Sequence, residues 1–319
     1  MVPGGRKMKK FTRVMCLILA LVCATMLFTG CKEEVPEVAP RVYAISGPTG
    51  VGMVHLMEDY DVQLASAADE VIGKIANSEV DIAALPTNAA AALYNKLNTE
   101  VTVLCVNTLG VLYMMDNTGT VTSMADLAGK TIYAMGEGAN PEYILKYLLE
   151  KNNVEANIQF VASNDELTAK MVSGEAEIAM VPQPVATTVQ SKTTFKIALN
   201  MTEEWTKVSP DDQLMMGCLV ARDEYLDANP NTVEAFLNDY KASVESVNSD
   251  VAAAAALCET YKIIPKAAVA EKAIPYCNIT FVTGEEMKNG LSGYLQVLYD
   301  ANPKSVGGTL PGNDFYYGV

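Results

Sequence analysis

The chain has 319 residues, of which 50% are hydrophobic, and its 38 acidic residues outnumber its 23 basic ones, for a formal charge of −15. A chain this acidic repels phosphate backbones, so nucleic acid is excluded as a partner. The length favours about two folding units of roughly 100 to 150 residues each.

Residues 1–30 have the composition of a secretory signal. Five basic residues among the first 13 precede an apolar run from Val14 to Phe28, which is too short to span a membrane as a helix. The run ends in LFTGC, which is similar to the lipobox of bacterial lipoproteins, although Phe28 stands where leucine is usual. We therefore expect cleavage before Cys31, a lipid on that cysteine, and a location on the extracytoplasmic face of the cell membrane. An ordinary signal peptide is the alternative.

The segment that follows, residues 31–40, is acidic and contains proline, which is typical of a tether. Four cysteines lie beyond it, and an even number in an exported chain permits disulfides. Each lies in an apolar or mixed stretch, so buried free thiols are the favoured interpretation, and disulfides stay open. These cysteines are Cys105, Cys218, Cys258 and Cys277.

The first predicted strand begins at Arg41 and leads into a glycine-rich turn, SGPTGVG, at Ser46–Gly52. The glycine spacing resembles a phosphate-binding loop, but that loop continues with a lysine and a hydroxyl residue, and Met53 and Val54 stand there. A second glycine cluster, GEGANP at Gly136–Pro141, follows another predicted strand and lacks the third glycine of a dinucleotide-binding signature. Neither turn predicts a nucleotide site.

An internal repeat indicates the architecture. At an offset of 96 residues, Ala68–Lys96 aligns without a gap with Asn164–Lys192. Each copy predicts a helix, a turn, an apolar strand and a proline before the next helix. A strand and a glycine-rich turn precede both copies, and alternating strands and helices favour parallel sheets. We therefore expect an α/β fold with two lobes and two mostly parallel sheets.

Two apolar segments are predicted to cross between the lobes, at Thr108–Gly119 and Leu214–Leu226. On this basis lobe one comprises residues 41–114 and 218–319, and lobe two comprises residues 115–217. The mostly helical C-terminal tail is predicted to complete lobe one.

These features together resemble a known family. The lipobox, the tether, the two repeated lobes, the SGPTG turn and the segment ELTAKMVSGEAEIAMVPQP are similar to the solute-binding lipoproteins of ABC importers, in the nitrate, sulfonate or thiamine-precursor branch. The resemblance covers nearly the whole mature chain and implies a type II periplasmic-binding-protein fold. It also implies a monomer without a cofactor that binds a small organic solute and delivers it to an ABC permease. A signalling partner in place of the permease is the alternative.

Ligands of open α/β sheets bind beyond the carboxyl ends of the strands, where helix N-termini present free N–H groups. Four turns at predicted strand ends, two in each lobe, would together line a ligand-binding cleft between the lobes. Glycines would let the backbone approach the ligand, and hydroxyl and amide side chains would form hydrogen bonds to it. The predicted ligand-binding residues are Ser46, Gly47, Thr49, Gly50, Thr87, Asn88, Gly136, Gly138, Asn140 and Gln183.

The sequence leaves the chemistry of the ligand open. Beyond the predicted signal, arginine occurs only at Arg41 and Arg222, so a bidentate clamp on a carboxylate or sulfonate has few candidates. An anion bound by backbone N–H groups and a neutral heterocycle held by aromatic rings are both compatible with the sequence. The candidate aromatic residues are Tyr113, Tyr133, Tyr143 and Trp205.

Catalytic and metal chemistry have little support in the sequence. The single histidine, His55, falls within the helix predicted after the SGPTG turn, so a Ser-His-Asp arrangement is not favoured. No close spacing of histidine and cysteine predicts zinc, and no ladder of aspartates predicts calcium. We therefore expect neither an enzyme nor a metal site.

Overall fold

The computed structural model of the chain describes residues 37–97, 100–210 and 213–319. Contacts between residues join Val38–Val319 into one unit. The predicted signal peptide, residues 1–30, and the predicted lipid attachment at Cys31 lie outside the described residues.

Six strands form the first sheet. They are β1 (Arg41–Ile45), β2 (Asp61–Ala65), β3 (Ile82–Pro86), β4 (Val101–Thr108), β10 (Gly217–Arg222) and β11 (Ile279–Val282). Their order across the sheet is β11-β4-β10-β3-β1-β2. Strand β1 runs parallel to β2 and β3, whereas β10 is antiparallel to β3 and β4, and β11 is antiparallel to β4. The carboxyl ends of β1, β3 and β4 therefore lie at one edge of this sheet.

Five strands form the second sheet. They are β5 (Leu112–Asp116), β6 (Thr131–Met135), β7 (Asn157–Val161), β8 (Ile178–Pro182) and β9 (Lys196–Asn200). Their order is β7-β6-β8-β5-β9. Strand β6 runs parallel to β7 and β8, whereas β5 is antiparallel to β8 and β9. The carboxyl ends of β6 and β8 therefore share an edge, and the predicted two-lobed α/β fold with two mostly parallel sheets is confirmed.

Helices connect and cover the strands. In the described part of the chain the α-helices are α1 (Pro48–Val51), α2 (Ala68–Ala76), α3 (Thr87–Lys96), α4 (Asn140–Lys151), α5 (Asn164–Ser173), α6 (Val185–Lys192), α7 (Met201–Val208), α8 (Asp223–Ala228), α9 (Pro230–Ser249), α10 (Val251–Thr260), α11 (Ala267–Ala273) and α12 (Gly284–Ala301). Short 3-10 helices lie at Val54–Leu56, Met124–Leu127, Ile274–Tyr276, Pro303–Val306 and Asn313–Phe315.

Helix α5 illustrates the local signals that define these elements. Its N-cap residue, Ser163, accepts a hydrogen bond from the N–H of Glu166 at 3.1 Å, which satisfies a free donor of the first turn. The helix ends at Gly174, whose φ of 80° is left-handed and suits glycine. Leu167 and Met171, one turn apart on the helix, are buried against the sheet.

The internal repeat predicted from the sequence is confirmed. Helix α2, strand β3 and helix α3 correspond, at the offset of 96 residues, to α5, β8 and α6. Each copy also carries an ion pair after its first helix, Lys74 with Glu79 at 3.3 Å and Lys170 with Glu175 at 2.6 Å. The two copies therefore place equivalent junctions of strand and helix in the two sheets.

The chain changes sheet between Thr108, the last residue of β4, and Leu112, the first residue of β5. The lobe boundary predicted between residues 114 and 115 lies inside β5. The chain returns to the first sheet at Gly217, where β10 begins, next to the boundary predicted between residues 217 and 218. Both crossings are therefore short, extended segments that lie side by side.

The C-terminal helix α12 contacts both lobes behind these crossings. It packs against β4 and α3 of the first lobe and against α4 of the second. Tyr294 on α12 and Trp205 on α7 are fully buried, and their ring centroids are 5.6 Å apart. Trp205 also packs against Tyr147 of α4, with centroids 4.8 Å apart. The two lobes therefore share one apolar core on this side.

Candidate functional site

The turn after β1 holds four of the predicted ligand-binding residues. Gly47 has φ 112° and ψ −149°, a conformation that glycine alone adopts readily, and no described atom lies within 4 Å of the position its Cβ would take. The hydroxyl of Thr49 donates to the carbonyl of Ile45 at 2.7 Å. Ser46 is exposed, whereas Gly50 is buried. The turn therefore exposes Ser46, whereas Gly47 is buried and has open space where a Cβ would lie.

Gly50 faces the core of the first lobe. A Cβ at this position would lie 3.2 Å from a methyl carbon of Ile263 and 3.2 Å from the carbonyl oxygen of Ile45. Glycine at this position lets α1 pack closely on the sheet, because these contacts leave little space for a side chain. A larger residue at Gly50 would disturb this packing before it reached a ligand.

The first copy of the repeat brings Thr87 and Asn88 to the carboxyl edge of the first sheet. Thr87 is fully buried, and its N–H donates to the carbonyl of Met216 at 3.1 Å while its hydroxyl donates to the carbonyl of Met215 at 2.7 Å. The Nδ2 of Asn88 donates to the carbonyl of Ser305 at 3.3 Å. The Oδ1 of Asn88 is buried and has no hydrogen-bond partner among the described residues.

The turn between β6 and α4 carries Gly136, Gly138 and Asn140. Both glycines have positive φ angles, 99° and 74°, which favour glycine in this tight turn. Glu142 anchors the turn, because its carboxylate accepts a hydrogen bond from the Gly138 N–H at 2.5 Å. The Nδ2 of Asn140 donates to the carbonyl of Met216 at 3.3 Å, whereas its buried Oδ1 finds no partner in the described part of the chain.

Gln183 follows the last residue of β8 and is 1% exposed. Its N–H donates to the carbonyl of Val111 at 3.0 Å. Its Oε1 accepts hydrogen bonds from the N–H and the hydroxyl of Thr187, at 3.3 and 2.9 Å. The Nε2 of Gln183 is buried and, within the residues that the structure describes, has no hydrogen-bond partner. This side chain therefore keeps one donor available.

The Met216 carbonyl is a point where the two lobes meet. It accepts hydrogen bonds from the Thr87 N–H of the first lobe and from the Asn140 Nδ2 of the second. Strand-end turns of both lobes are thus brought together, as the sequence predicts for a ligand site. We call this boundary the seam, and it comprises Thr87, Asn88, Asn140, Gln183 and Met216.

Sequence reasoning missed Asn107 and Thr108, which end β4 at the same edge. Asn107 is fully buried beside the Tyr240 hydroxyl, yet neither group completes a hydrogen bond with a described residue. The Thr108 hydroxyl also lacks a partner among these residues. A Cβ on Gly217 would lie 2.6 Å from the Asn107 Oδ1, so glycine makes room for this amide. The available signal was an amide and a hydroxyl at the end of the otherwise apolar strand VTVLCVNT.

Two grooves open to solvent beside the seam. One, of about 440 Å³, lies between α4 and the end of α12, and Gly138, Tyr143 and Asn302 help to line it. The other, of about 380 Å³, lies between the second lobe and residues 265–269, beside Pro184. The seam residues line neither groove and are buried, so we expect a solute to reach them when the lobes separate.

Both arginines in the described part of the chain lie at the opposite edge of the first sheet. Asp81, which precedes β3, accepts hydrogen bonds from Arg41 at 2.7 and 2.8 Å and from Arg222 at 3.1 Å. Burial opposes ionisation of Asp81, but these hydrogen bonds outweigh it and lower the pKa of the carboxyl below its ordinary value. Neither guanidinium is therefore placed to clamp a ligand at the seam.

The predicted aromatic candidates lie in different environments. Tyr113 on β5 is buried, which raises its pKa, and its hydroxyl donates to the Tyr276 carbonyl at 2.8 Å. Trp205 lies in the shared core behind the crossings, and Tyr133 borders a groove at the far side of the second sheet. Tyr143 borders the groove between α4 and α12. Of these four, Tyr143 is the aromatic residue closest to the seam grooves.

The remaining candidates are His55 and the four cysteines beyond Cys31. His55 lies in the 3-10 helix Val54–Leu56, after α1 has ended, and its buried Nε2 has no described partner. The four cysteines beyond Cys31 are free and buried, as favoured from the sequence, and burial raises the pKa of Cys258 and Cys277 to about 12. Among the described residues, no group of three His, Cys, Asp or Glu side chains could hold a metal ion. No helix in that part of the chain is both long and apolar enough to cross a membrane.

Two α/β lobes whose strand ends face one seam define the type II periplasmic-binding-protein fold, and solved structures share it. An ABC transporter from Parabacteroides distasonis has a TM-score of 0.77 and 21% identity, covering 88% of this chain and 99% of that one. The periplasmic aliphatic sulphonate binding protein SsuA from Escherichia coli has a TM-score of 0.70 and 14% identity, with coverages of 86% and 96%. The alkanesulfonate-binding protein SsuA from Xanthomonas axonopodis pv. citri, bound to MOPS, has a TM-score of 0.66 and 13% identity, with coverages of 87% and 96%.

The family follows from the sequence itself. The sequence model of the NMT1/THI5-like family matches residues 57–252, which is more than half of the chain. This chain therefore belongs to the NMT1/THI5-like family. A search of curated protein sequences found no match. The family resemblance and the fold expected from it are thus both confirmed.

Proposed function

We propose that this chain is the solute-binding protein of an ABC importer, which captures a small organic solute between its lobes and delivers it to the permease without chemistry of its own. The observation that supports this best is the convergence of strand-end turns from both lobes on the Met216 carbonyl. Three buried amide groups at these strand-end turns, those of Asn88, Asn140 and Gln183, each keep one atom unpaired among the described residues. Such atoms are suited to binding a polar solute.

Capture depends on movement of the lobes in this proposal. The two short crossings, between β4 and β5 and before β10, are the segments about which the lobes would rotate. The packing of Trp205 against Tyr294 restrains the rear side, so the seam would open on the side away from α12. A solute that touches both lobes would then be enclosed when they close.

A thermal-shift screen of the mature chain tests solute capture. The screen should contain small organic acids, pyrimidines, amines and sulfonates, since two of the similar structures are named for sulfonate binding. A solute present at 100 times its dissociation constant adds about 2.7 kcal/mol of stability, which a thermal melt detects. Small-angle scattering should then show a smaller radius of gyration with the solute bound. A bound solute that leaves this radius unchanged would contradict capture by closure.

We also propose that a lipid on Cys31 holds the protein on the extracytoplasmic face of the cell membrane. The support is the LFTGC sequence after the apolar run and the acidic tether that follows it. Cys31→Ser should release the protein from the membrane fraction. Mass spectrometry that finds an unmodified mature N-terminus at another residue would contradict this proposal.

A further inference from the structure

Helices α11 and α12 lie on opposite faces of the first sheet. Along β4, Val103 belongs to the core that contains α12, whereas the next residue, Leu104, belongs to the core that contains α11. Successive residues of a strand point to opposite faces, so the two helices cover different faces. Along β5, Met114 likewise joins the core beside α12, and Tyr113 points to the other face. Contacts of α11 and Tyr113 therefore lie on the side away from α12.

A segment of the first lobe, residues 265–278, contacts the second lobe on this side. Its helix α11 packs on α6. The hydroxyl of Tyr113 donates a hydrogen bond to the carbonyl of Tyr276 at 2.8 Å, and the two rings meet edge to face with centroids 6.3 Å apart. Tyr113 is buried in the core of the second lobe, so this hydrogen bond joins the two lobes. We call residues 265–278 the clasp.

The clasp is attached to the first lobe and to the first crossing. Ala273 and Cys277 are fully buried in the core of the first lobe. The Nδ2 of Asn278 donates to the carbonyl of Gly110, in the first crossing, at 2.5 Å. The clasp therefore belongs to the first lobe and would move with it.

The contact between the clasp and the second lobe is small and open to water. The Tyr276 side chain is 51% exposed. The groove of about 380 Å³ runs beside the contact, with Val269 of α11 on one side and Thr188 of α6 on the other. On the α12 side one apolar core runs through both lobes, whereas on the clasp side the two lobes keep separate cores. The clasp contact can therefore break without opening either core.

We infer that the clasp is a latch between the lobes, which must leave Tyr113 and α6 before the seam becomes accessible and which favours the closed arrangement even without a solute. This inference rests on the proposed movement of the lobes. The shared core restrains the α12 side, so the lobes would separate on the side that the clasp crosses. One neutral hydrogen bond changes such an equilibrium about two- to tenfold, which leaves the open arrangement populated.

Thiol labelling of the solute-free chain tests the clasp. The mature chain carries Cys31→Ser and a reporter thiol from Asn140→Cys at the buried seam, and Gln183→Cys is the second reporter if the first variant does not fold. N-ethylmaleimide reaches a buried thiol only when the protein opens, so the labelling rate measures the open population. The native Cys105, fully buried in the first sheet, reports unfolding of the whole chain. Mass spectrometry measures both rates.

Tyr113→Phe removes only the hydroxyl that bonds the clasp. We expect it to raise the labelling rate at position 140 about two- to tenfold, because the closed arrangement loses one hydrogen bond. Tyr94→Phe is the matched control, since the Tyr94 hydroxyl is also largely buried and donates to Asp314 at 2.7 Å within the first lobe. It should leave the rate at position 140 unchanged.

Two results would count against the clasp, and they differ in what else they contradict. Labelling at position 140 that is faster than at Cys105 but equal in Tyr113→Phe and the parent chain would overturn the clasp and leave lobe movement intact. Labelling at position 140 no faster than at Cys105 would mean that the lobes do not separate without unfolding. That result would contradict both the clasp and the proposed capture by lobe movement.

Val269→Ala tests the other half of the clasp and covers the case in which Tyr113→Phe does not fold. Val269 is half-buried in the groove between α11 and α6, so its truncation should raise the labelling rate at position 140 at least about twofold. Val172→Ala, at a position 54% exposed on α5, makes the same change away from the groove and should have no effect. Equal rates in the two valine variants would show that α11 does not hold the lobes together.

Discussion

The two copies of the internal repeat share a scaffold and differ at both ends of its strand. At the amino end, Asp81 of the first copy is buried and bonded to two arginines, whereas its counterpart Glu177 is exposed. At the carboxyl end, the Thr87 hydroxyl donates to the crossing before β10, whereas the side chain of its counterpart Gln183 bonds to Thr187 within its own lobe. The repeat therefore supplies the framework, while the residues at the strand ends give each lobe its own contacts.

The largest effect that separates the two copies should come from Asp81→Ala. The substitution removes the buried carboxylate of the mostly buried Arg222, which keeps only the exposed Glu224, so we expect a loss of about 2 to 4 kcal/mol of unfolding free energy. Glu177→Ala, at the exposed counterpart, should change stability by less than about 0.5 kcal/mol. Urea denaturation of both variants measures the difference. Equal effects would mean that the two strand ends are equivalent.

The carboxylate of Asp81 also predicts a pH dependence of stability. The folded pKa of Asp81 lies below its ordinary value of 3.8, so its ionised form stabilises the fold above about pH 4. That contribution is lost as the pH falls through the folded pKa. The stability difference between the wild type and Asp81→Asn should therefore shrink on acidification below about pH 4. A difference that stays constant or grows would contradict this assignment.

Thr87→Val tests the junction between the first copy and the crossing. The change removes the hydroxyl that donates to the Met215 carbonyl inside the protein, so we expect a loss of about 1 to 2 kcal/mol. Thr206→Val, on an exposed face of α7, removes a similar hydrogen bond from a threonine hydroxyl to a backbone carbonyl. It should lower the unfolding free energy by less than about 0.5 kcal/mol. Thermal melts compare the two. A loss at Thr87 no larger than the control would contradict its role at the seam.

The smallest effect is expected where the copies agree. Lys74 and Lys170 form equivalent ion pairs with Glu79 and Glu175 at the surface, where water screens the charges. Lys74→Met and Lys170→Met should each leave the melting temperature almost unchanged, and by the same amount. A marked shift in only one variant would show that the shared scaffold also differs between the copies.

The sequence predicted the scaffold well because the repeat constrains it. The gapless offset of 96 residues places helix, turn and strand in register, and the structure keeps that register from Ala68 to Lys192. Glycine clusters marked the turns after β1 and β6 because those turns need positive φ angles at Gly47 and Gly136. Sheet order, by contrast, depends on which strands pair, and the local sequence pattern does not determine that pairing.

The candidate site was less accessible from the sequence. Asn107 was missed because its place at the carboxyl edge follows from β4 lying beside β10, a pairing between distant segments. Gly50 was expected to face a ligand, whereas the direction of its missing side chain depends on how α1 lies on the sheet. The first lobe boundary was predicted inside β5 because apolar residues continue from the crossing into that strand. Each of these features is decided by tertiary packing.

The aromatic packing behind the crossings has a spectroscopic consequence. Trp205 is the only tryptophan of the chain, and it is fully buried between Tyr147 and Tyr294. Its fluorescence in the native protein should be emitted at short wavelength, because the indole is shielded from water. Unfolding should shift that emission to longer wavelength, whereas a solute bound at the front should leave it almost unchanged. The protein thus contains a built-in optical reporter of its rear core.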